Sequence, residues 1–272
     1  MLEIAIMIEG QNGLTWPRWQ KIVRFVEELG FVGLYRSDHF TNSNPPDLES
    51  LELWTSLTWL ACNTKRIEFG PLVTPFSFRH PAFTARMASS VDDLSGGRLT
   101  LGLGAGWRDR EHHLFGFDLL EPKSRFDRFE EGMEVLTRLL QVGGNGGKRT
   151  MSNVVLYTTE WNCVMLTPQE FTRLNESLTQ MLNDAGKNPE SVRRSMMTNC
   201  VFGKDETALK EKLSARGRTL EQLRQRGIVA GSGDAVVEQL QELEQVGLRR
   251  IMLQWLDLDD LNGLEALAEV VL

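Results

Sequence analysis

Short apolar runs that alternate with amphipathic segments limit most strongly what this chain can fold into. Between most of these runs, apolar residues recur at helical spacing, as they do over Phe126–Leu140. Strands that alternate with helices form parallel sheets. Seven or eight such units in 272 residues predict one (β/α)₈ barrel domain over residues 1–272. The predicted strands are Leu2–Ile8, Phe31–Tyr35, Ile67–Val73, Leu99–Leu103, Trp161–Met165, Ser195–Phe202 and Arg250–Trp255.

A doubly wound open sheet is the alternative architecture. The first predicted strand is not followed by a GxGxxG turn, which counts against a dinucleotide-binding sheet of that kind. The barrel is therefore the favoured prediction.

Charge and cysteine content narrow the range of partners. The net charge of −7 argues against a nucleic-acid surface, which needs a basic footprint. No apolar run approaches the roughly 18 residues of a membrane span. The three cysteines, Cys62, Cys163 and Cys200, are far apart and form no CxxC motif. Metal-ligand spacing is also missing among His80, His112 and His113. We expect a cytoplasmic protein with a small-molecule substrate, no metal, no nucleic acid and no membrane contact.

Asp38 and His39 directly follow the second predicted strand. In a (β/α)₈ barrel this position is a βα-loop at the catalytic face. A carboxylate beside an imidazole raises its basicity, so the pair is a candidate for proton transfer. The alternative is structural, with Asp38 capping a loop and His39 packing against its neighbours.

Two further strand ends carry candidate ligand contacts. Leu72 and Val73 end the third strand between two prolines, and Gly104, Gly106 and Trp107 follow the fourth strand. Glycine there lets a flat ligand approach the backbone closely. A plain turn of the chain at each position is the alternative.

A glycine-rich run later in the chain is a candidate phosphate cradle. Exposed backbone N–H groups, a helix N-terminus and two basic side chains suit an anionic group. The spacing is not that of a P-loop, so nucleotide hydrolysis is not indicated. A flexible surface loop is the alternative. The residues are Gly143, Gly144, Asn145, Gly146, Gly147, Lys148 and Arg149.

Taken in order, these motifs resemble those of the luciferase-like monooxygenase family, and most closely its deazaflavin-dependent oxidoreductase branch. The resemblance covers nearly the whole chain, and its specificity lies in the ordered set. The segments that carry it are Gly33–His39, Arg79–Pro81, Asp93–Arg98, Gly104–Trp107, Phe115–Phe117, Gly143–Gly146, Glu160–Asn162 and Val229–Ser232.

The resemblance implies a flavin or deazaflavin ring at the C-terminal mouth of the barrel. It implies a non-proline cis peptide near Leu72–Val73, phosphate binding at Gly143–Gly147, and an active-site role for Asp38 and His39. Two departures make sugar-phosphate oxidation doubtful. Trp107 stands where the sugar-phosphate dehydrogenase branch of the family has a glutamate, and Thr41–Ser43 stand where that dehydrogenase branch has an aromatic residue.

The predicted function is therefore hydride transfer between coenzyme F420, a deazaflavin, and an organic substrate that the sequence does not identify. One alternative is an FMN-dependent monooxygenase that receives reduced flavin from a separate reductase. The other is a non-catalytic barrel that has lost its cofactor site.

The region where a barrel needs its fifth strand is unusually short in this sequence. Only Gln141 and Val142 separate the helix ending at Leu140 from Gly143, and two residues reach at most about 7 Å. Three explanations are open. A segment is omitted from the sequence, the barrel is opened at one strand, or the helix ends early and lends Leu139–Val142 to a short strand.

Two spatial predictions follow from the barrel. Asp38, His39, Leu72 and Gly106 should meet residues 144–147 at one cavity, because only a closed barrel gathers those loops on one face. The apolar segment Leu51–Leu60 is a candidate homodimer interface, with a well-buried barrel helix as its alternative.

Overall fold

Parallel strands and the helices between them organise the computed structural model, which describes residues 1–139, 155 and 159–272. Most strands are rich in β-branched and apolar residues, as buried parallel strands require. The strands are β1 Glu3–Ile8, β2 Gly33–Arg36, β3 Glu68–Pro71, β4 Thr74–Pro75, β5 Leu103–Gly104, β6 Glu160–Val164, β7 Arg193–Phe202, β8 Val229–Gly231 and β9 Arg250–Gln254.

The main sheet runs β3-β2-β1-β9-β7-β6, and every pairing in it is parallel. β8 pairs with the last residues of β7, beyond the part that pairs with β9. β4 and β5 form a two-stranded extension, and Phe69 of β3 bridges to Leu99 just before β5. The sheet thus runs from β5 around to β6, and among the described residues no ladder joins those two strands.

Helices follow most strands and cover the outside of the sheet. Prolines lie in the first turns of α1, α3 and α6. Proline suits this position because it has no backbone N–H, and the N–H groups of the first turn have no partner within the helix. The helices are α1 Trp16–Leu29, α2 Leu53–Asn63, α3 Pro81–Ser95, α4 Asp109–Phe115, α5 Pro122–Leu139, α6 Pro168–Asp184, α7 Glu206–Arg216, α8 Leu220–Arg224, α9 Asp234–Gln245 and α10 Leu261–Val271.

Two apolar layers hold the strands in place. The larger core lies between the outer faces of the strands and the helices, and it includes Ile6, Trp19 and Leu253. A smaller cluster contains Ala5, Met7, Tyr35 and Met252, from three neighbouring strands, with Leu72 and Met197 packed against it. Because side chains alternate along a strand, the two clusters occupy opposite faces of the sheet.

Charged residues begin five of the strands and meet at the N-terminal end of the sheet. Arg250, whose side chain is 1% exposed, donates to Glu3 Oε2 at 2.6 Å, to both oxygens of Glu68 at 2.6 and 3.1 Å, and to Tyr35 Oη at 3.0 Å. Arg193 lies 3.4 Å from Glu160. We call Glu3, Glu68, Glu160, Arg193 and Arg250 the basal ion cluster.

Several details of the sequence prediction are wrong. The apolar pattern predicts no strand where β8 forms, and it predicts no helix over the segments that form α4, α7 and α8. β7 begins at Arg193 rather than at Ser195. Helical spacing after Pro81 predicts Phe83 on the apolar face of α3, but Phe83 is 70% exposed, and Ala85 and Ala88 are buried there instead.

The apolar segment that was the candidate dimer interface lies mostly inside the chain. Leu53, Trp54, Leu57 and Leu60 are all buried against the larger core, and Trp59 is half-buried. Their apolar surface is therefore already covered without a second copy, as expected for a barrel helix. The homodimer stays a prediction, without this segment as its basis.

The questions about the fifth strand and the glycine-rich run fall on residues 140–154 and 156–158, which lie outside the described residues. Among the helices that are described, none combines the length and apolar character of a membrane span.

Candidate active site

A cavity of about 360 Å³ lies at the C-terminal end of the strands. Its walls come from loops that follow β1, β2, β3 and β5, from α4, and from residues of β1, β4, β6 and β7. A ligand site in a (β/α)₈ barrel is expected at this end. The lining residues are Met7, Glu9, Ser37, Asp38, His39, Leu72, Val73, Pro75, Gly106, Trp107, Arg108, Glu111, His112, Asn162, Val164 and Met197. We call this the mouth cavity.

The predicted convergence holds for every member of the set that the structure describes. Asp38, His39, Leu72 and Gly106 all line the mouth cavity, as do Val73 and Trp107. Residues 143–149, the predicted phosphate cradle, lie outside the described residues.

The Leu72–Val73 peptide forms one wall and is cis, at the position that the resemblance implied. Gly104 supports this wall from behind. A Cβ atom added at Gly104 would lie 2.6 Å from Cγ2 of Val73, closer than van der Waals contact allows. Gly104 thus acts on the cavity through Val73, and it is not itself among the residues that line it.

Asp38 is held in a buried ion pair. Its carboxylate accepts hydrogen bonds from Arg79 and, at 2.7 Å, from the Thr74 hydroxyl. Arg79 also donates to Glu52 at 2.9 Å, so it joins the loop after β2 to the start of α2. Burial raises the pKa of Asp38, and the charge and hydrogen bonds of Arg79 and Thr74 oppose that rise.

His39 has a different carboxylate partner. Its Nδ1 lies 2.7 Å from Oε1 of Glu111, and Oε2 of Glu111 accepts from the Phe40 backbone N–H at 3.1 Å. Burial acts to raise the pKa of Glu111, but the His39 hydrogen bond and charge, followed by the Phe40 amide, bring it below its ordinary value. Trp107 packs edge-on against His39, with ring centroids 5.7 Å apart.

The adjacent residues Asp38 and His39 therefore belong to two separate hydrogen-bonded groups. The interpretation in which Asp38 tunes the imidazole of His39 is wrong, because Arg79 and Thr74 occupy Asp38 while Glu111 binds His39. Glu111 was missed because it comes from α4, a seven-residue helix without an apolar repeat. Its position four residues after Trp107, near another strand end, was the signal available.

Two more polar residues that line the mouth cavity are Glu9 and Asn162. Glu9 accepts from the side-chain amides of Gln11 and Gln254, each at 2.6 Å. Asn162 of β6 donates to Ser195 Oγ at 2.9 Å. Glu9 follows the first predicted strand, and no motif marks it. Asn162 lies in Glu160–Asn162, a segment that carries the resemblance but to which the sequence assigned no site role.

The outer rim of the cavity is aromatic and cationic. The side chain of Trp107 is 63% exposed, and the guanidinium of Arg108 lies 4.9 Å from the centroid of its ring. Gly106 has φ of +86°, and its carbonyl accepts from Arg125 at 3.3 Å. The positive φ favours glycine at this position, so the rim loop turns sharply there.

Other chemistries find little support in the described part of the chain. No group of three or more His, Cys, Asp or Glu side chains there is arranged to hold a metal ion. Burial raises the pKa of Cys163 and of Cys200 to about 12, so neither thiol is a nucleophile at neutral pH.

Fold and site together define a (β/α)₈-type enzyme scaffold with a ligand cavity at its C-terminal mouth. A sequence profile described as luciferase-like monooxygenase matches residues 3–159. The chain belongs to the luciferase-like monooxygenase family.

Among curated relatives, 4-hydroxyprotoasukamycin monooxygenase of Streptomyces nodosus subsp. asukaensis is 31% identical over 128 residues. That stretch is 47% of this chain and 33% of the relative, so the match spans about a third of the relative's length.

Solved structures resemble the chain over almost all of its length. The coenzyme F420-dependent tetrahydromethanopterin reductase from Methanopyrus kandleri superimposes with a TM-score of 0.76 at 18% identity, covering 99% of this chain and 98% of that one. The oxygenating constituent of 3,6-diketocamphane monooxygenase from Pseudomonas putida, in complex with FMN, gives 0.75 at 15% identity, covering 100% and 98%. At these identities the likeness establishes the luciferase-like barrel fold.

Proposed function

We propose that this protein is an oxidoreductase that transfers hydride between coenzyme F420 and a small organic substrate in the mouth cavity. One observation carries the proposal. An apolar wall at Leu72–Val73 and the imidazole of His39 line the same cavity. This cavity lies at the C-terminal end of the strands, where (β/α)₈-barrel enzymes have their active sites.

The residues present fit a flat heteroaromatic ring. Apolar side chains, among them Met7, Leu72 and Met197, offer surfaces for the faces of such a ring. Asn162 and His39 carry polar groups for its edges. The predicted cradle at residues 143–149 would take the phosphate of either F420 or FMN, and this assignment remains a prediction from the sequence.

The deazaflavin, when bound, supplies the hydride acceptor or donor. The chain supplies position and proton transfer. Oxidation of an alcohol or amine releases a proton together with the hydride, and the His39 imidazole is placed to take that proton. Trp107 packs edge-on against the His39 ring from the rim of the cavity.

Titration with each cofactor tests the proposal. Trp107 lies at the cavity, so F420 should quench the intrinsic tryptophan fluorescence and shift the visible absorbance of the deazaflavin. Substituting Trp107→Leu should remove more of the quenching than Trp59→Leu, because Trp59 lies on the outer helix α2. Absence of F420 binding at concentrations where FMN binds would reject the deazaflavin assignment.

An FMN-dependent monooxygenase is the second candidate, supported by the FMN complex of the structural neighbour and by the 31%-identical monooxygenase. Oxygen consumption with chemically reduced FMN separates it from the first. Binding of neither cofactor would favour the non-catalytic barrel. A cytoplasmic location and a homodimer belong to the same proposal, and sedimentation at micromolar concentration tests the dimer.

A further inference from the structure

We infer that Glu111 is a positioning residue that fixes the tautomer of His39, leaving Nε2 as a proton acceptor toward the mouth cavity. The inference rests on the proposed function for its catalytic meaning. Its structural content concerns the described side chains alone.

The two oxygens of Glu111 have separate partners. Oε1 lies 2.7 Å from His39 Nδ1, and Oε2 accepts from the Phe40 N–H at 3.1 Å. The Glu111 side chain is 1% exposed, and its lowered pKa keeps it ionised at neutral pH. An ionised carboxylate only accepts hydrogen bonds, so the proton of a neutral His39 ring must lie on Nδ1.

The opposite side of the imidazole is free for a substrate. Within the described part of the chain, Nε2 of His39 has no hydrogen-bond partner, and the ring lines the mouth cavity. The residue is held at other points as well. Its carbonyl accepts from Ser50 Oγ at 3.0 Å, and Trp107 packs edge-on against the ring. A fixed ring with an unprotonated Nε2 is suited to accept a proton as a hydride leaves.

A purely structural role for Glu111, anchoring the Phe40 N–H, is the competing explanation. Glu111→Gln separates the two roles. The amide oxygen of glutamine can still accept from Phe40, but its NH₂ group then faces Nδ1 of His39. Nδ1 must accept that hydrogen bond, and the proton of the ring moves to Nε2. The substitution therefore preserves the anchor and inverts the tautomer.

Nitrogen-15 NMR of the imidazole rings measures the tautomer without any cofactor. The chain has four histidines, and a His39→Gln variant assigns the relevant signals by their loss. Spectra at about pH 9, above the ordinary titration range of imidazole, report the neutral ring. Asp109→Asn is the matched control, because it removes the same charge from an exposed position of the same helix.

We expect the Nδ1–H form in the parent protein and in Asp109→Asn, and the Nε2–H form in Glu111→Gln. An Nε2–H ring in the parent protein overturns the inference, and this spectrum decides even if the glutamine variant does not fold. An unchanged tautomer in a folded Glu111→Gln variant overturns it equally.

Turnover gives the functional readout once a substrate is found. Loss of the proton acceptor should lower kcat about 100-fold or more in Glu111→Gln, within the usual range for general-base catalysis, while the Kd for F420 stays the same. Asp109→Asn should keep its activity. If neither cofactor binds the parent protein, the proposed function is wrong. The tautomer assignment is tested independently, by the NMR spectra alone.

Discussion

At the scale of single residues, the mouth cavity depends on a position where no side chain fits. Gly104 does not have a positive φ, so the constraint is the space in front of it, where a Cβ atom would lie 2.6 Å from Val73 Cγ2. Val73 is β-branched and cannot swing aside easily. Its side chain can therefore be displaced only together with the wall that it forms.

Gly104→Ala should therefore destabilise the protein by about 1–3 kcal/mol, the usual cost of overpacking. It should also weaken cofactor binding, because Val73 would be pushed toward the cavity. Val73→Ala removes the clashing atom, so the double variant should recover much of both losses. Urea unfolding and cofactor titration of the parent protein, the two single variants and the double variant measure the coupling between Gly104 and Val73. Strictly additive effects would show that the contact is not the cause.

Glu111 gives a pH prediction at the same scale. Its pKa is lower in the folded protein than the ordinary value of 4.5, because the hydrogen bonds from His39 and Phe40 outweigh the effect of burial. The ionised carboxylate therefore stabilises the fold fully above about pH 4.5, and this contribution is lost as the pH falls through the folded value.

The difference in unfolding free energy between the parent protein and Glu111→Gln should consequently be larger at pH 6 than at pH 3.5. Chemical denaturation at the two pH values checks it, and the other carboxylates cancel because both proteins contain them. A difference that grows on acidification would contradict the direction of the shift.

At the scale of elements, Arg79 connects two loops at the C-terminal end of the barrel, its own and the one between β2 and α2. It lies between β4 and α3, pairs with Asp38 after β2, and reaches Glu52 at the start of α2. The Asp38 side chain is 2% exposed and that of Arg79 is 15% exposed. Removing one partner of such a pair leaves a buried charge uncompensated.

Arg79→Met should destabilise the protein by about 3–5 kcal/mol, in the range for a broken buried ion pair. Adding Asp38→Asn removes the unpaired charge and should restore part of this loss. Arg86→Met, at an exposed position of α3, is the control and should change the unfolding free energy by less than about 0.5 kcal/mol. Equal losses for Arg79→Met and Arg86→Met would mean that the ion pair does not stabilise the loops.

These elements also separate what the sequence predicts from what it does not. The strand ends at Asp38, Leu72 and Gly106 follow from local alternation, because a barrel places every strand end at one mouth. The cis peptide at Leu72–Val73 was implied by resemblance and is present. Pairings such as Arg79 with Asp38 depend on how distant loops meet, and no local pattern encodes them.

Short elements escaped prediction for a related reason. β8 has three residues and α4 has seven, too few to display a period against the surrounding sequence. The exposure of Phe83 shows the same limit, since the packing of α3 against its neighbours decides which side of the helix is covered. Glu111 lies on α4, one of these short elements, so the sequence did not predict it as a site residue.

At the scale of the whole molecule, the two ends of the barrel have different contents. The mouth cavity lies at the C-terminal ends of the strands, and the basal ion cluster lies at their starts. In barrels of this kind the C-terminal end carries the chemistry and the opposite end serves stability. Substitutions in the basal ion cluster should therefore separate stability from ligand binding.

Arg250 and Arg193 test this separation, because both contact the same three glutamates from very different environments. The Arg250 side chain is 1% exposed and lies 2.6 Å from Glu3 and Glu68 and 3.8 Å from Glu160, whereas that of Arg193 is 39% exposed and lies 3.4 to 3.9 Å from the same carboxylates. Arg250→Met leaves Glu3, Glu68 and Glu160 facing one another without their buried cation. It should cost about 3–5 kcal/mol of unfolding free energy.

Arg193→Met should cost no more than about 1 kcal/mol, because an exposed pair at that distance is screened by solvent. Urea unfolding measures both losses. Cofactor titration below the unfolding transition should give the same Kd for Arg193→Met as for the parent protein, since the change lies at the far end of the barrel. Equal destabilisation by the two variants would show that burial does not determine how much these ion pairs contribute to the free energy of unfolding. A weakened Kd in a fully folded Arg193→Met would show that the two ends are coupled.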